Sequence, residues 1–231
     1  MRIKTLYEDA DFLVIDKPSG IFVHPSTVLR AGPGESTVLD LMKKKYPGIQ
    51  LSHRLDKETS GVLALAKNDK AHRFLKRQFQ NREVKKTYLA IVSGWVKNDH
   101  GIINKPIGRS PADFRRRLAG RGVRGKIREA ITEYKVSKRF EDSGNKFSYL
   151  EIKPKTGRTH QIRVHMKFIN HPVACDSLYN PKGACPAGFD RLALHARSIE
   201  FSAMGGSASG GKNKTIKVES PLPKKFKKVV E

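Results

Sequence analysis

The chain has 231 residues, enough for one large domain that buries roughly 70% or more of its unfolded surface without disulfides or metals as staples. Its 46 Lys and Arg against 22 Asp and Glu give a net charge of +24, spread from the N-terminal third to the last residues, so a polyanion is the expected partner. No apolar run reaches the roughly 18 residues of a transmembrane helix and no basic amphipathic segment stands alone, which favours nucleic acid over a membrane surface.

Residues 1–11 mix charges with no apolar core and no small-residue cleavage site, so no secretory signal is expected and the mature protein is expected to begin at Met1, in the cytoplasm. Cys175 and Cys185, with nine residues between them, match neither a disulfide framework nor a paired zinc knuckle. Two thiols in a reducing compartment are expected, with a single surface-loop disulfide as the alternative.

Short strands are predicted at 4–7, 12–16 and 21–24, punctuated by Glu8-Asp9-Ala10-Asp11 and Lys17-Pro18-Ser19-Gly20. Beyond the loop at 25–35, Ser36 is the predicted cap of a helix over about 37–46, where Val38, Leu41 and Met42 share a face before Pro47-Gly48. Gly61 to Lys67 reads as a buried strand. Asn68 or Asp69 then caps a helix to about Asn81, with Ala71, Phe74, Leu75, Gln78 and Phe79 at helical spacing.

A strand over about 84–94 leads into a basic segment, Lys105 to Arg128, that carries Arg115, Arg116, Arg117, Arg121 and Arg124 among glycines. Its composition predicts an excursion that orders on a phosphate backbone. Strands near 129–139 and 146–153, a helix around 159–170, and strands near 193–201 and 214–219 complete the pattern, with a flexible Gly/Ser loop at about 203–214. The terminal Lys224-Lys225-Phe226-Lys227-Lys228 reads either as a nuclear signal or as a basic end of a nucleic-acid surface. Strands and helices in irregular order predict an α/β or α+β domain on a mixed sheet.

Three segments carry candidate chemistry. In His53-Arg54-Leu55-Asp56-Lys57-Glu58-Thr59-Ser60-Gly61 an aspartate stands between two cations, which favour its ionised form and leave it available as a nucleophile; an arbitrary Asp here would more often cap a turn. Tyr88 lies in an apolar strand, where a buried aromatic is the default. Arg163 sits between Ile162 and Val164, where a charge needs a partner unless it lies on an exposed helix face; Asp56 is the candidate. His160, His165 and His171 lack the spacing and companions of a metal site, so no metal is assigned.

Together and in this order, the Asp56 loop, Lys85 to Gly94, and Thr156-Gly157-Arg158-Thr159-His160-Gln161-Ile162-Arg163-Val164-His165 resemble the RluA-type pseudouridine synthases, over roughly residues 4–201. The resemblance implies the α+β pseudouridine synthase fold: a mixed, mainly antiparallel sheet with flanking helices and a central catalytic cleft, in a single catalytic domain over 1–231. It implies Asp56 as nucleophile, Tyr88 as the ring stacked on a flipped uracil and an aid to proton transfer, and Arg163 as the partner of Asp56. Arg54 takes the place of the extruded base, Ile162 lines the uracil pocket, and His53 and Thr59 are further substrate contacts. Such a base must leave its stack before it can react, at a cost of a few kcal/mol.

The implied reaction is an isomerisation, so no cofactor is expected. RNA, transfer or ribosomal, is the expected partner of a monomer. Many relatives place a small RNA-binding module before the catalytic domain; here the strand pattern reaches the catalytic region at once. That module is therefore expected to be absent, with Arg115, Arg116, Arg117, Arg121 and Arg124 as RNA-backbone contacts. The rival readings are a noncatalytic RNA-binding or ribosome-assembly factor on a synthase scaffold, and a hydrolase that releases free uracil.

Overall fold

Phe12-Leu13-Val14-Ile15 and Val62-Leu63-Ala64-Leu65-Ala66 are unbroken apolar runs too short for core helices and suited to strands covered on both faces. In the computed structural model, which describes residues 3–24, 36–120, 122–204 and 214–230, both runs are central strands. In chain order the elements are β1 (Lys4–Glu8), β2 (Phe12–Lys17), α1 (Val38–Lys43), β3 (Gln50–Leu51), β4 (Ser60–Ala66), α2 (Asp69–Gln80), β5 (Lys85–Ser93), β6 (His100–Asn104), β7 (Ile107–Arg109), β8 (Arg117–Ala119), β9 (Arg124–Arg128), β10 (Ile131–Asp142), β11 (Asn145–Pro154), α3 (Gln161–Phe168), β12 (Leu194–Ser202), β13 (Thr215–Glu219) and α4 (Lys224–Val230). This is an α+β fold. It divides into two compact units, Met1–Lys86 with Ala196–Pro221, and Thr87–His195 with Leu222–Glu231. No helix among the described residues is long and apolar enough to cross a membrane.

In the first unit, β2 pairs antiparallel with β1 and with β4, Phe12 opposite Ala66 and Lys17 opposite Gly61. Every residue of β4 is buried. Asn68 caps α2 by accepting from the Ala71 N–H, and the helix turns Ala71 and Leu75 onto a core of Phe12, Val14, Val62, Ala64, Phe201 and Ile216. Gln78, buried in that interface, donates to the Ser202 carbonyl (3.1 Å) and accepts from its N–H (2.7 Å), so the helix is tied to β12 through a satisfied amide.

Two expectations for this unit are corrected. Residues 21–24 form no strand: the carbonyls of Phe22 and Val23 accept from the N–H groups of Val38 and Leu39, so the segment satisfies the start of α1 instead of a sheet ladder. The cap of α1 is Thr37, not Ser36, because Thr37 and Asp40 form a reciprocal capping box. The loop at 25–35 and most of the Gly/Ser stretch lie outside the described residues.

The second unit is built on the antiparallel order β5-β11-β10-β6, with β10 and β11 joined by a tight turn at Ser143-Gly144. Helix α4 is the terminal basic run folded on itself. Its lysines point outward while Phe226, fully buried, packs edge-on against Phe189. Between β6 and β10 lies the arginine-rich segment, and here the structure departs from an excursion awaiting RNA. It is a three-stranded sheet, β8-β7-β9. Ile107 of β7 is buried with Val164 of α3 and Tyr179, which gives the small sheet an apolar root that composition hid.

Gly61 holds the entry to β4 where no side chain fits. Its φ is +111°, and a Cβ there would overlap the Ala196 carbonyl and lie 2.8 Å from the Ala196 nitrogen. Gly144 also has positive φ (+74°) but faces open space. Gly61→Ala is therefore expected to destabilise the fold by about 3 kcal/mol or more, against roughly 1–2 kcal/mol for Gly144→Ala, as read from urea unfolding midpoints.

Candidate active site

The loop that carries Asp56 is held from beneath by a buried cation. Lys17 closes the apolar strand β2, its side chain fully buried, and its ammonium donates to the carbonyls of Pro18 (2.8 Å), Ile21 (3.0 Å) and Lys57 (2.9 Å). The same Lys57 carbonyl accepts from the Gly20 N–H at 2.9 Å, and Ser19 Oγ donates to the Glu58 carbonyl at 2.6 Å. The Lys17-Pro18-Ser19-Gly20 turn, read from the sequence as punctuation, is thus a clamp on the residues that follow Asp56.

Leu55 is buried, Asp56 half-buried and Arg54 exposed. The Thr59 N–H donates to the Asp56 carbonyl (3.2 Å), closing a turn. Thr59 Oγ1 is buried and has no hydrogen-bond partner among the described residues.

His53 begins this loop and is built into its support. Its Nε2 accepts from the Ala64 N–H (3.0 Å) and its ring stacks on Phe79 at 4.5 Å. Burial, with a smaller contribution from the Lys86 ammonium, pushes the imidazole down to about 3, so the neutral ring is the form that accepts this bond. Burial also lowers Lys86, to about 8. These contacts give His53 a structural task, beside whatever it does toward substrate.

The second unit holds Tyr88, Ile162 and Arg163. Tyr88, on β5 opposite Ile152, is partly buried against the same apolar cluster that contains Ile162. Arg163 is buried within α3, not on an exposed helix face, and its partner within the unit is Asp176, which the sequence reading missed. Nε and Nη2 of Arg163 donate to the two carboxylate oxygens, each at 2.7 Å, and Oδ1 also accepts from the Leu178 and Tyr179 N–H groups at 3.0 Å. The guanidinium lies 5.1 Å from the centre of the Tyr179 ring. A bidentate pair with further backbone bonds orients the arginine as well as neutralising it.

Tyr179 extends the network, its hydroxyl accepting from the Arg117 N–H (2.8 Å) and lying 3.0 Å from His160 Nδ1. His165, buried, meets Thr132 Oγ1 at 2.8 Å and the Lys105 carbonyl at 2.9 Å, fixing the root of the small sheet. Gln161 is buried and occupied at both ends by Thr156, the Arg158 N–H, Ile131 and Thr132.

Beside Asp176 the alternative reading of the two cysteines, a single disulfide, is the one found. Cys175 and Cys185 are joined as a disulfide, with Cα atoms 5.2 Å apart, instead of standing as two thiols. Turns closed by Asn180 N–H on the Asp176 carbonyl and by Gly183 N–H on the Asn180 carbonyl fold the intervening chain back, which a count of two cysteines does not reveal.

Of the basic candidates, Arg124 is exposed on β9, and in the turn before β8 Arg115 is exposed and Arg116 half-buried, both paired with Asp113. Arg117 is half-buried at the start of β8, and Arg121 lies outside the described residues. The first unit therefore gathers Arg54, Asp56, His53 and Thr59 on one clamped loop, and the second gathers Tyr88, Ile162 and Arg163 around one core.

A family model described as RNA pseudouridylate synthase matches residues 11–168. The chain is 45% identical over 189 residues to an "Uncharacterized RNA pseudouridine synthase" of Aquifex aeolicus, covering 79% of this chain and 57% of that protein. It is 36% identical to the "Ribosomal large subunit pseudouridine synthase D" of Xanthomonas campestris, covering 99% of this chain and 68% of that protein. Among solved structures, human RNA Pseudouridylate Synthase Domain Containing 1 superposes with a TM-score of 0.77 at 27% identity, covering 96% of this chain and 84% of that one.

Two outcomes follow from the site's construction. Asp176→Asn removes the bidentate carboxylate from the buried Arg163 and should lower stability by about 3–5 kcal/mol in urea unfolding. Because His53 is neutral in the fold and protonates near its ordinary value when unfolded, its contribution is present above pH ~6.5 and is lost as pH falls toward about 3. Replacing it, His53→Gln, should flatten the stability curve in that window, measured by denaturation at successive pH values.

Proposed function

The chain belongs to the RNA pseudouridylate synthase family, and we propose from that premise that it isomerises uridine in structured RNA with Asp56 as the nucleophile. The observation that carries the assignment to Asp56 is the clamp of Lys17, Ser19 and Gly20 on the backbone of Lys57 and Glu58, which holds a half-buried carboxylate on a fixed loop ahead of a buried strand. A nucleophile that must meet a flipped nucleotide benefits from such placement, because orientation is secured before the substrate arrives.

In this reading Asp56 forms a covalent bond to the nucleotide, the bond between uracil N1 and the ribose anomeric carbon breaks, and the uracil turns. Carbon 5 then bonds to the anomeric carbon, the bond to Asp56 breaks and returns its carboxylate, the proton at carbon 5 is lost, and N1 ends protonated. Electrons and atoms balance without a co-reactant. Arg54 fills the space the base vacates, Tyr88 stacks on the uracil, and Ile162 walls its pocket; a base–aromatic contact contributes about 1–3 kcal/mol. Arg163 is the remaining catalytic candidate, and its fork to Asp176 fixes the guanidinium. Thr59, with its buried hydroxyl, and His53 are the remaining candidate contacts.

Arg115, Arg116, Arg117 and Arg124 contact phosphates, and the chain acts alone on RNA. Since the Xanthomonas campestris relative is named for the large ribosomal subunit, large-subunit ribosomal RNA is the first substrate pool to test, with transfer RNA second.

Tritium release from RNA labelled at uridine carbon 5 reads the exchange directly. The unmutated chain should release label, and Asp56→Asn should lower the rate by roughly 10³-fold or more with RNA binding retained. Equal release by the two proteins would remove Asp56 from the reaction, and free uracil among the products would make the chain a hydrolase.

A further inference from the structure

Most of the chain's large apolar side chains are buried, but Phe114 is 67% exposed, on the turn that joins β7 to β8. Its neighbours in sequence are Asp113, Arg115, Arg116 and Arg117. The turn is closed on itself. Ser110 Oγ accepts from the Ala112 and Asp113 N–H groups (3.3 Å each), the Arg116 N–H donates to the Asp113 carbonyl (2.9 Å), and the Ser110 N–H donates to the Arg116 carbonyl (3.2 Å).

Asp113 adds a carboxylate that accepts the Arg115 N–H at 2.9 Å and binds its guanidinium through Nη2 at 2.8 Å; these bonds hold it at about 2, ionised at any working pH. The Arg117 N–H ties the far end to the Tyr179 hydroxyl, and Arg117 Nη1 reaches the Phe114 carbonyl at 3.3 Å. Phe114 is thus presented by a braced turn on a small sheet rooted against α3. A second exposed ring, Phe168, lies beside Gly120 of that sheet with the Lys105 ammonium 5.7 Å from its centre.

Aromatic rings interleaved with cations form the surface that takes single-stranded nucleic acid: the cations hold phosphates, and the ring offers a face to a base. An intact duplex has no base face to give except at its ends, so such a ring favours unpaired nucleotides. We infer that Phe114 is a stacking platform for an unpaired base of the RNA substrate, outside the nucleotide that reacts. The inference rests on the reading of the chain as an enzyme of RNA and narrows it to RNA with a loop or bulge near the target uridine. The arginine surround decides for RNA over an apolar protein partner.

The test compares a hairpin RNA, the same hairpin with abasic loop positions, and a blunt duplex of the stem, each titrated with the full chain. Phe114→Ala should weaken hairpin binding by about 5- to 150-fold, leave duplex binding unchanged, and leave the slope of log K against log salt unchanged, since no charge is lost. Phe114→Tyr should restore hairpin affinity. In a Trp95→Phe background, Phe114→Trp should show emission quenched by the hairpin and not by its abasic form. Equal weakening of hairpin and duplex, no weakening, or no quenching overturns the platform. If the unmutated chain binds none of the three RNAs, the RNA-enzyme reading beneath it falls, and that result is distinct from a failure confined to Phe114.

Discussion

A cation withdrawn from water must be given its hydrogen bonds back, and each unit is arranged around one that is. In the first, Lys17 ends a strand covered on both faces, and three carbonyls converge on its ammonium, one of them just past Asp56. In the second, Arg163 is enclosed within α3 and answered by Asp176, whose carboxylate also collects two backbone N–H groups. Neither arrangement is an inexpensive way to gain stability, since an apolar residue would fill the same volume at less cost. What each secures is placement. Lys17 fixes the course of the loop that carries Asp56, and Asp176 fixes the plane of a guanidinium.

How legible this was in the sequence depended on whether the determining partner was local. Strands β2 and β4 were plain because an apolar run states its own burial, and α2 was plain because Asn68 and the spacing of Ala71, Leu75 and Gln78 lie within one helix. The three motif segments were legible through their order and their resemblance to a family. Ile21 and Val23 were misread as a strand since their β-branched character reports burial, which is real, while the N–H groups that donate to the Phe22 and Val23 carbonyls belong to α1. Thr37 and Ser36 are equivalent caps on paper; Asp40, three residues beyond Thr37, was the signal that separates them.

Asp176 and Lys17 escaped for a different reason. A buried charge is visible only once its surroundings are known, although a lysine closing Phe-Leu-Val-Ile-Asp-Lys in a strand buried on both faces was a hint that it would need carbonyls. Phe226 was hidden inside a lysine run whose charge dominated its reading, and only the packing of its ring against Phe189 shows that the run is an amphipathic helix.

The small arginine-rich sheet was misjudged in a more instructive way. Composition counted its charges and glycines and pointed to a segment that would order on RNA. Yet Ile107 gives it an apolar root, and glycines with positive φ, Gly120, Gly122 and Gly125, make its turns and bends possible. A segment braced in this way would meet a polyanion with different energetics. An excursion that folds on its ligand spends part of the phosphate attraction on ordering itself, whereas a braced one keeps more of that attraction as affinity. Asp113 shows the trade within a few residues: it lowers the positive charge offered to RNA, and in exchange it fixes Arg115 and the turn beneath Phe114. Where net charge is already +24, losing a little attraction to gain a defined shape favours discrimination among RNAs over affinity for all of them.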